Sequence, residues 1–298
     1  MLNGLSRLRP PKAEVQNGQL FPSPSIDCLY PSQDAWEENS EMADTKLCIL
    51  TGAAGEVGRA TARRFAESGW SMILCDRTDD VKALAEGLST EFGRQCFGIQ
   101  MDLTNDAEVD SVARTAAGLG IPLRFLGLIA AINHPAISIE QMDMSLWDKV
   151  HNVNLRANVK FISACVPLLR KSGNASIATV SSFWGREGHA YFSPYCASKA
   201  ALISLTQSVA AELAPAIRVN CVAPGNINTP MHFNALAVEA EQRGISADEM
   251  RSIEWNKIPM RRPAETAEIA SAIYFLSTED SSYFVGATLD VNGGCRFT

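Results

Sequence analysis

The sequence predicts an α/β fold, a doubly wound parallel sheet with helices on both faces. Three observations carry this. From residue 46 onward, short apolar runs alternate with amphipathic segments. The runs are apolar throughout rather than at every second residue, which is how strands covered on both faces read. A glycine-rich turn, 51-TGAAGEVG-58, joins the first run to the first amphipathic segment.

The elements follow in order. The run 46-KLCILT-51 is a buried strand stopped by glycine. Residues 56–68 form a helix with Val57, Ala60, Phe65 and Ala66 on one side and arginines on the other. Next come a strand over 70–75, a helix over 79–92, a strand over 95–100, a helix over 105–117 and a strand over 125–130. A long helix spans 144–171, followed by a strand over 175–180, a helix over 193–213 and a strand over 216–222. After a loop, a helix over 264–277 precedes the last strand, 287–291. Right-handed crossovers between such strands give a Rossmann-type sheet. No linker-like break interrupts residues 45–298, so they form one domain.

Composition narrows the partners. The chain has 298 residues, 46% hydrophobic and 20% charged, with a net charge of -7. The mean hydropathy is -0.01 and the pI about 5.2. That acidic balance argues against a nucleic-acid partner. Apolar stretches such as 126-LGLIAAI-132 are far shorter than the roughly 18 residues of a membrane span, so no membrane partner is expected. The eight cysteines lie at least 20 residues apart, without a CxxC pair, and the four histidines have no ligand-like spacing. No metal site is expected, and the thiols read as reduced, in a cytoplasmic protein. Residues 1–44 hold five of the 14 prolines and a net charge of -4, and read as a disordered extension. Arg7, Arg9 and Lys12 give their start a faint likeness to a transit segment. Met42 is a compact alternative start for the domain, which an intact mass including residues 1–41 would exclude.

The glycine turn is the strongest local signal. A phosphate there needs close backbone and free N–H groups at a helix start. Gly52, Gly55 and Gly58 permit the tight turn, the close approach and the strand–helix packing, and Glu56 and Val57 complete the candidate contacts. Because this turn follows a strand and opens a helix, it reads as a dinucleotide site. Asp76 ends the second strand, 18 residues after Gly58, where a carboxylate accepts from the adenosine ribose and repels a 2′-phosphate. That predicts NAD over NADP, although the adjacent Arg77 could pair with a phosphate. Asp102 and Leu103, after the third strand, face the adenine; the alternative for Asp102 is a helix cap.

A tyrosine and a lysine four apart, Tyr195 and Lys199 in 195-YCASK-199, share one helix face. A nearby ammonium is expected to lower the phenol's pKa and make the pair an acid/base for a hydroxyl proton. Ser182, 13 residues earlier and just after a strand, is placed to hold a substrate oxygen. Asn154, on the long helix, is placed to anchor a relay water.

With these strings in place, the sequence resembles the short-chain dehydrogenase/reductase family, in its compact single-domain branch, over about residues 46–294. The supporting motifs are TGAAGEVG, CDR at 75–77, MDL at 101–103, WDKVHNVNL at 147–155, TVSS at 179–182, YCASK, IRVNCVAPG at 217–225 and DVNGG at 290–294. The resemblance implies a catalytic tetrad of Asn154, Ser182, Tyr195 and Lys199, with Lys199 also on the nicotinamide ribose. It implies that Pro224, Gly225, Ile227 and Thr229 meet the nicotinamide side, and that the protein is a homo-oligomer, commonly a tetramer.

Two departures stand out. Glu56 occupies the position where the compact branch carries glycine, and the GxxGxxG spacing is that of the longer branch. The strand that usually ends in Asn-Asn-Ala-Gly reads 130-AAIN-133, and Asn133 is expected to take the left-handed backbone in place of glycine.

The expected pocket draws on Ile132 and His134, on Trp184, His189 and Tyr191, and on Met231, Phe233 and Trp255 in the segment 230–256. Such a lining suits a ring-bearing or aliphatic alcohol. Arg186 reads as an exposed arginine rather than an anchor for an acidic substrate. The expected function is NAD(H)-dependent interconversion of a small-molecule secondary alcohol and a ketone. The alternatives are an NADPH-dependent ketoreductase of the acyl-carrier type and a non-catalytic nucleotide sensor on the same fold.

Overall fold

The computed structural model describes residues 46–297, together with the backbone of a short antiparallel pair, Val15–Gln16 with Gln19–Leu20. The chain divides into two units, residues 1–44 and 45–298. The expectations for the N-terminal extension and Met42 lie outside the described residues.

Seven parallel strands form the sheet: β1 (Leu47–Thr51), β2 (Ser71–Asp76), β3 (Cys96–Gln100), β4 (Leu123–Leu128), β5 (Ala175–Val180), β6 (Ile217–Pro224) and β7 (Thr288–Val291). Their order is β3-β2-β1-β4-β5-β6-β7, so the winding reverses between β1 and β4. A ligand crevice forms at such a point, beyond the carboxyl ends of the strands.

Burial on both faces follows from the alternation of side chains along each strand. On one face, Ile49, Ile73, Leu126 and Ile177 pack with Phe161 and Leu169. Those two lie on α5 (Ala157–Ser172), which is joined by α3 (Asp106–Gly118) and α6 (Ser193–Leu213). On the other, Leu50, Leu74 and Phe125 pack against α1 (Glu56–Glu67), α2 (Asp80–Phe92) and α9 (Thr266–Phe275). Phe65 centres that second core, with its ring 5.0 Å from Phe125 and 5.2 Å from both Trp70 and Tyr274. The buried stripe of α1 runs through Gly58, Thr61, Ala62, Phe65 and Ala66, shifted from the expected face by the close approach at Gly58.

Three elements depart from expectation. β4 ends at Leu128, because the next amides, Ile129 and Ala130, donate to Thr51 Oγ1 at 3.1 and 3.3 Å instead of to the ladder. The long helix is interrupted: α4 (Met144–His151) passes through a π turn, Asn152–Arg156, before α5. The expected loop after β6 contains two helices, α7 (Pro230–Arg243) and α8 (Ala247–Asn256). Leu236, Ala240 and Met250 give them a small core of their own. No helix among the described residues is long and apolar enough to cross a membrane. Cys48, Cys75, Cys96, Cys165, Cys196, Cys221 and Cys295 are free thiols.

Candidate active site

The glycines of the β1–α1 turn do three different things. Gly52 has φ +67°, and a Cβ there would meet Ala130 Cα at 2.7 Å, so it permits both the turn and the contact with the end of β4. A Cβ at Gly58 would come within 2.0 Å of the Gly52 carbonyl oxygen, so this glycine sets the helix–strand packing. At Gly55 a Cβ would meet only the Gly52 oxygen, at 3.4 Å. The protein itself does not need glycine at 55, and the side left open faces the start of α1. That opening fits a phosphate. Glu56 is the exposed first residue of α1, and Val57 is half-buried behind it.

Asp76 reaches the same turn from the end of β2. Its Oδ2 accepts from Ala54 N at 3.0 Å, and its Oδ1 from Thr78 N at 3.0 Å. Arg77 is exposed, with its carbonyl accepting from Gln100 Nε2 at 3.2 Å. The Asp102 carboxylate accepts from the Thr104 amide and hydroxyl, and these bonds hold it below the usual carboxylate range. The cap of α3 is not Asp102 but Asn105, which accepts from Ala107 N. Leu103 is half-buried beside Asp102. Left-handed non-glycine backbone occurs among the described residues at Asn174, Tyr191 and Arg261, not at Asn133. The Asn133 Oδ1 instead accepts from the next amide, His134 N, at 2.9 Å.

Asn154 sits in the π turn, fully buried. Its Oδ1 accepts from Ile132 N at 2.8 Å, and its Nδ2 donates to Ile132 O at 3.0 Å and to Ser198 Oγ at 3.1 Å. Both amide hydrogens are therefore committed, so the side chain holds the β4 loop and is not free to grip a water. The Ser198 hydroxyl donates onward to Tyr195 O at 2.8 Å. π turns recur at functional sites because they aim one side chain out of helical register.

Ser182, just beyond β5, accepts from Trp184 N, and its hydroxyl faces the Tyr195 phenol, favouring the ionised form. Burial outweighs that, and the phenol is pushed up to about 12. The lowering expected from Lys199 is absent, for a geometric reason. Lys199 Nζ is tied to Val180 O at 2.7 Å and stands 5.6 Å from the phenol ring centroid. Burial brings Lys199 itself down to about 8.

A cavity of about 600 Å³ opens beside these groups, lined by Ser182, Tyr195, Trp184, His189, Tyr191 and Met231 among others. The Trp184 indole lies 4.2 Å from the His189 ring and edge-on to Tyr195 at 6.0 Å. Gly225, Ile227 and Thr229 form the adjoining wall, with Pro224 buried at the end of β6.

A family model described as Enoyl-(Acyl carrier protein) reductase matches residues 52–296. The chain belongs to the short-chain dehydrogenase/reductase family. It is 31% identical over 253 residues to a 2,5-dichloro-2,5-cyclohexadiene-1,4-diol dehydrogenase of Sphingobium indicum, covering 84% of this chain and 95% of that one. An NAD+-bound xylitol dehydrogenase structure superposes with a TM-score of 0.78 at 26% identity, covering 84% of this chain and 98% of that one. The L-sorbose reductase of Gluconobacter frateurii, complexed with NADPH and L-sorbose, gives a TM-score of 0.79 at 26% identity, covering 86% and 98%. This short-chain dehydrogenase/reductase is thus an oxidoreductase of the nicotinamide-dependent kind. Both cofactors occur among its structural neighbours, so membership alone does not set the preference.

In this family member some expected pocket residues lie elsewhere. His134 is buried against Phe192, with Nδ1 bonded to Pro135 O. Phe233 packs toward Trp255 and Arg251. His134, Phe233, Trp255 and Ile132 are not among the lining residues. Arg186 is not a free exposed arginine, because it pairs with Asp290 at 3.1 Å. The lining that sequence reasoning missed includes a wall from α7 and α8: His232, Leu236, Glu239, Arg243 and Glu254. The signal was present, since Thr229-Pro230 is a helix start and Gly244, with φ +66°, a helix end.

Proposed function

We propose that the chain is an NAD(H)-dependent oxidoreductase that interconverts a secondary alcohol and a ketone, with Tyr195 as acid/base. The observation that carries this is the Tyr195 phenol facing the Ser182 hydroxyl on the wall of an apolar cavity, with the Lys199 cation beneath its ring. Bound between the glycine turn and this wall, the oxidised cofactor supplies a hydride-accepting carbon and a positive charge. Ser182 donates a hydrogen bond to the substrate oxygen and holds it against the phenol. Tyr195 takes the hydroxyl proton as the carbon–hydrogen bond breaks, and returns it in ketone reduction. The Ser182 hydroxyl opposes the burial that disfavours phenolate, and Lys199, charged at neutral pH, would bind the nicotinamide ribose. Asn154 fixes the β4 loop and Ser198, and its backbone carbonyl accepts from Asn158 Nδ2 at 2.6 Å.

Gly52, Gly55, Glu56, Val57 and Gly58 would hold the pyrophosphate through backbone amides. The preference for NAD is carried by Asp76, whose carboxylate is pinned at the turn by Ala54 N and puts a negative charge where a 2′-phosphate would sit. A second reading, an NADPH-dependent ketoreductase acting on acyl-carrier substrates, draws on the exposed Arg77 and on the description of the matching family model.

The test is reduction of NAD+ and of NADP+, followed by nicotinamide absorbance, over a panel of secondary alcohols. Turnover with NAD+ should exceed that with NADP+. Tyr195→Phe should bind NADH normally and lose roughly 100- to 10,000-fold in turnover. A variant as fast as the parent would refute the acid/base role, and a preference for NADP+ would transfer support to the second reading.

A further inference from the structure

The charged groups around the cavity are matched to one another. Lys257 bridges Glu254, Arg243 bridges Glu239, and Arg296 bridges Glu187. Most of the remaining lining is apolar, and one neutral polar group on α7 stands out. His232 lies in the first turn of that helix and lines the cavity. The Trp255 indole N–H, from α8, donates to His232 Nε2 at 3.4 Å. Nε2 is therefore an acceptor, and the neutral imidazole carries its proton on Nδ1. Burial holds the ring below its usual pKa, against the opposing effect of Glu254, so the neutral form prevails at pH 7. Nδ1 makes no hydrogen bond among the described residues and is not enclosed. The ring is also held in place from below, since Thr229 Oγ1 accepts from His232 N and the α7–α8 pair has its own packed core. Ser182 and Tyr195 come from different elements, the end of β5 and α6.

We infer that the His232 Nδ1–H binds a second oxygen of the substrate, so that the enzyme selects a molecule bearing a neutral oxygen acceptor besides the alcohol or ketone that reacts. The inference rests on the alcohol–ketone reading of the site. A ketone, ether or hydroxyl oxygen fits. A carboxylate or phosphate fits poorly, because each cation of the lining already has a carboxylate partner. A substrate lacking the second oxygen covers the donor without pairing it, which is how a pocket rejects a near-isostere.

The experiment uses two matched pairs of ketones: cyclohexanone with cyclohexane-1,4-dione, and 2-decalone with decalin-2,6-dione. Their binding to the NAD+-loaded protein, where no reduction can occur, is measured by calorimetry. At least one dione should bind about fivefold or more tighter than its monoketone, the size of one neutral hydrogen bond in a dry site. His232→Phe should abolish that preference, with monoketone affinity no weaker than in the parent because no donor is then left unpaired, and with NAD+ affinity unchanged. His232→Asn, which places an N–H near the Nδ1 position, should keep it, and Trp255→Phe, which frees the tautomer, should weaken it. The inference is overturned by the absence of a preference in the parent, by a preference that survives His232→Phe, or by an equal loss for monoketone or NAD+. NADH-dependent reduction of the same ketones is read separately. A dione preference that depends on His232 in a protein that reduces no ketone would sink the alcohol–ketone reading and leave the donor standing.

Discussion

Lys199 is 1% exposed, and among the described residues its three N–H donors find one hydrogen-bond acceptor, Val180 O. Burial takes its pKa from 10.5 down to about 8. Below pH 8 the folded and unfolded chains both carry the proton, and the full penalty of the buried ammonium is present. Between pH 8 and 10.5 only the unfolded chain holds the proton, so stability from this group rises with pH across that window. Lys199→Met should therefore stabilise the fold at pH 7 by about 2 kcal/mol, once the lost Val180 bond is set against the relieved burial, and so raise the melting temperature. The gain should fade toward pH 10.5, and turnover should be lost. Melting curves of parent and variant at pH 7 and 10.5 check this; a difference that does not change with pH would show that the lysine is not strained. Tyr195 acts in the opposite sense. Its phenol, raised from 10 to about 12, favours the fold fully below pH 10, and that contribution is lost as the pH climbs through 12.

The β1–α1 turn separates two uses of glycine that the GxxGxxG spacing presents as one. Gly58→Ala would drive a Cβ into backbone, the Gly52 oxygen at 2.0 Å and Ala53 Cα at 2.7 Å, and neither can move without displacing α1. It should cost about 3 kcal/mol and lower the melting temperature by several degrees. Gly55→Ala meets nothing closer than 3.4 Å, so it should melt as the parent does while binding NAD(H) several-fold more weakly. Melting and NADH fluorescence titration of the two variants distinguish these outcomes, and a Gly55→Ala protein with unchanged NADH affinity would remove Gly55 from the cofactor site. The turn was legible in the sequence because its glycines answer to stereochemistry; Tyr195, Lys199 and Ser182 were legible through spacing, and their grouping with Asn154 through the family resemblance. The π turn was not, since no residue pattern in Asn152–Arg156 distinguishes a π turn from an α turn and only the structure reveals that the Asn154 amide faces Ile132 and Ser198. The α7–α8 pair escaped for another reason. It covers a cavity rather than the sheet, so most of its residues stay outside the buried cores and its apolar periodicity is weak. With it, His232 stayed hidden.

Across the whole molecule, the last crossover depends on a buried cation. Arg218, the second residue of β6, is 9% exposed and donates to Ser281 O and Oγ at 2.8 Å, to Thr278 O at 3.2 Å and to Leu276 O at 3.3 Å. Those acceptors lie between the end of α9 and the start of β7, so one guanidinium ties the return path of the chain to the sheet. Asn220 adds two bonds to the same segment, to Phe284 O and from Ala287 N. The strand fixed in this way carries Asp290, the partner of Arg186, and leads to Asn292, against which Gly225 packs, and to Cys295 on the cavity wall. Burial lowers the Arg218 pKa, so the cation is held at some cost, offset by Glu279 nearby. Arg218→Met relieves that cost but removes four hydrogen bonds. Ser281 O keeps Phe284 N and Thr278 O keeps Ser281 N and Oγ, whereas Leu276 O and Ser281 Oγ lose their donor. The second effect is larger, because each buried unpaired acceptor costs about 1 kcal/mol or more. The net loss should be about 1–2 kcal/mol in urea denaturation, with Arg218→Lys recovering little because an ammonium cannot reproduce the planar fork. Some of the loss should appear in function as well. At roughly 3.3 Å per residue, the far end of β6 lies about 20 Å away at Pro224, yet β7 and the cavity end it supports should loosen with the crossover. KM should then rise more than kcat falls. A variant as stable as the parent would mean that β7 is held by its ladder with β6 alone.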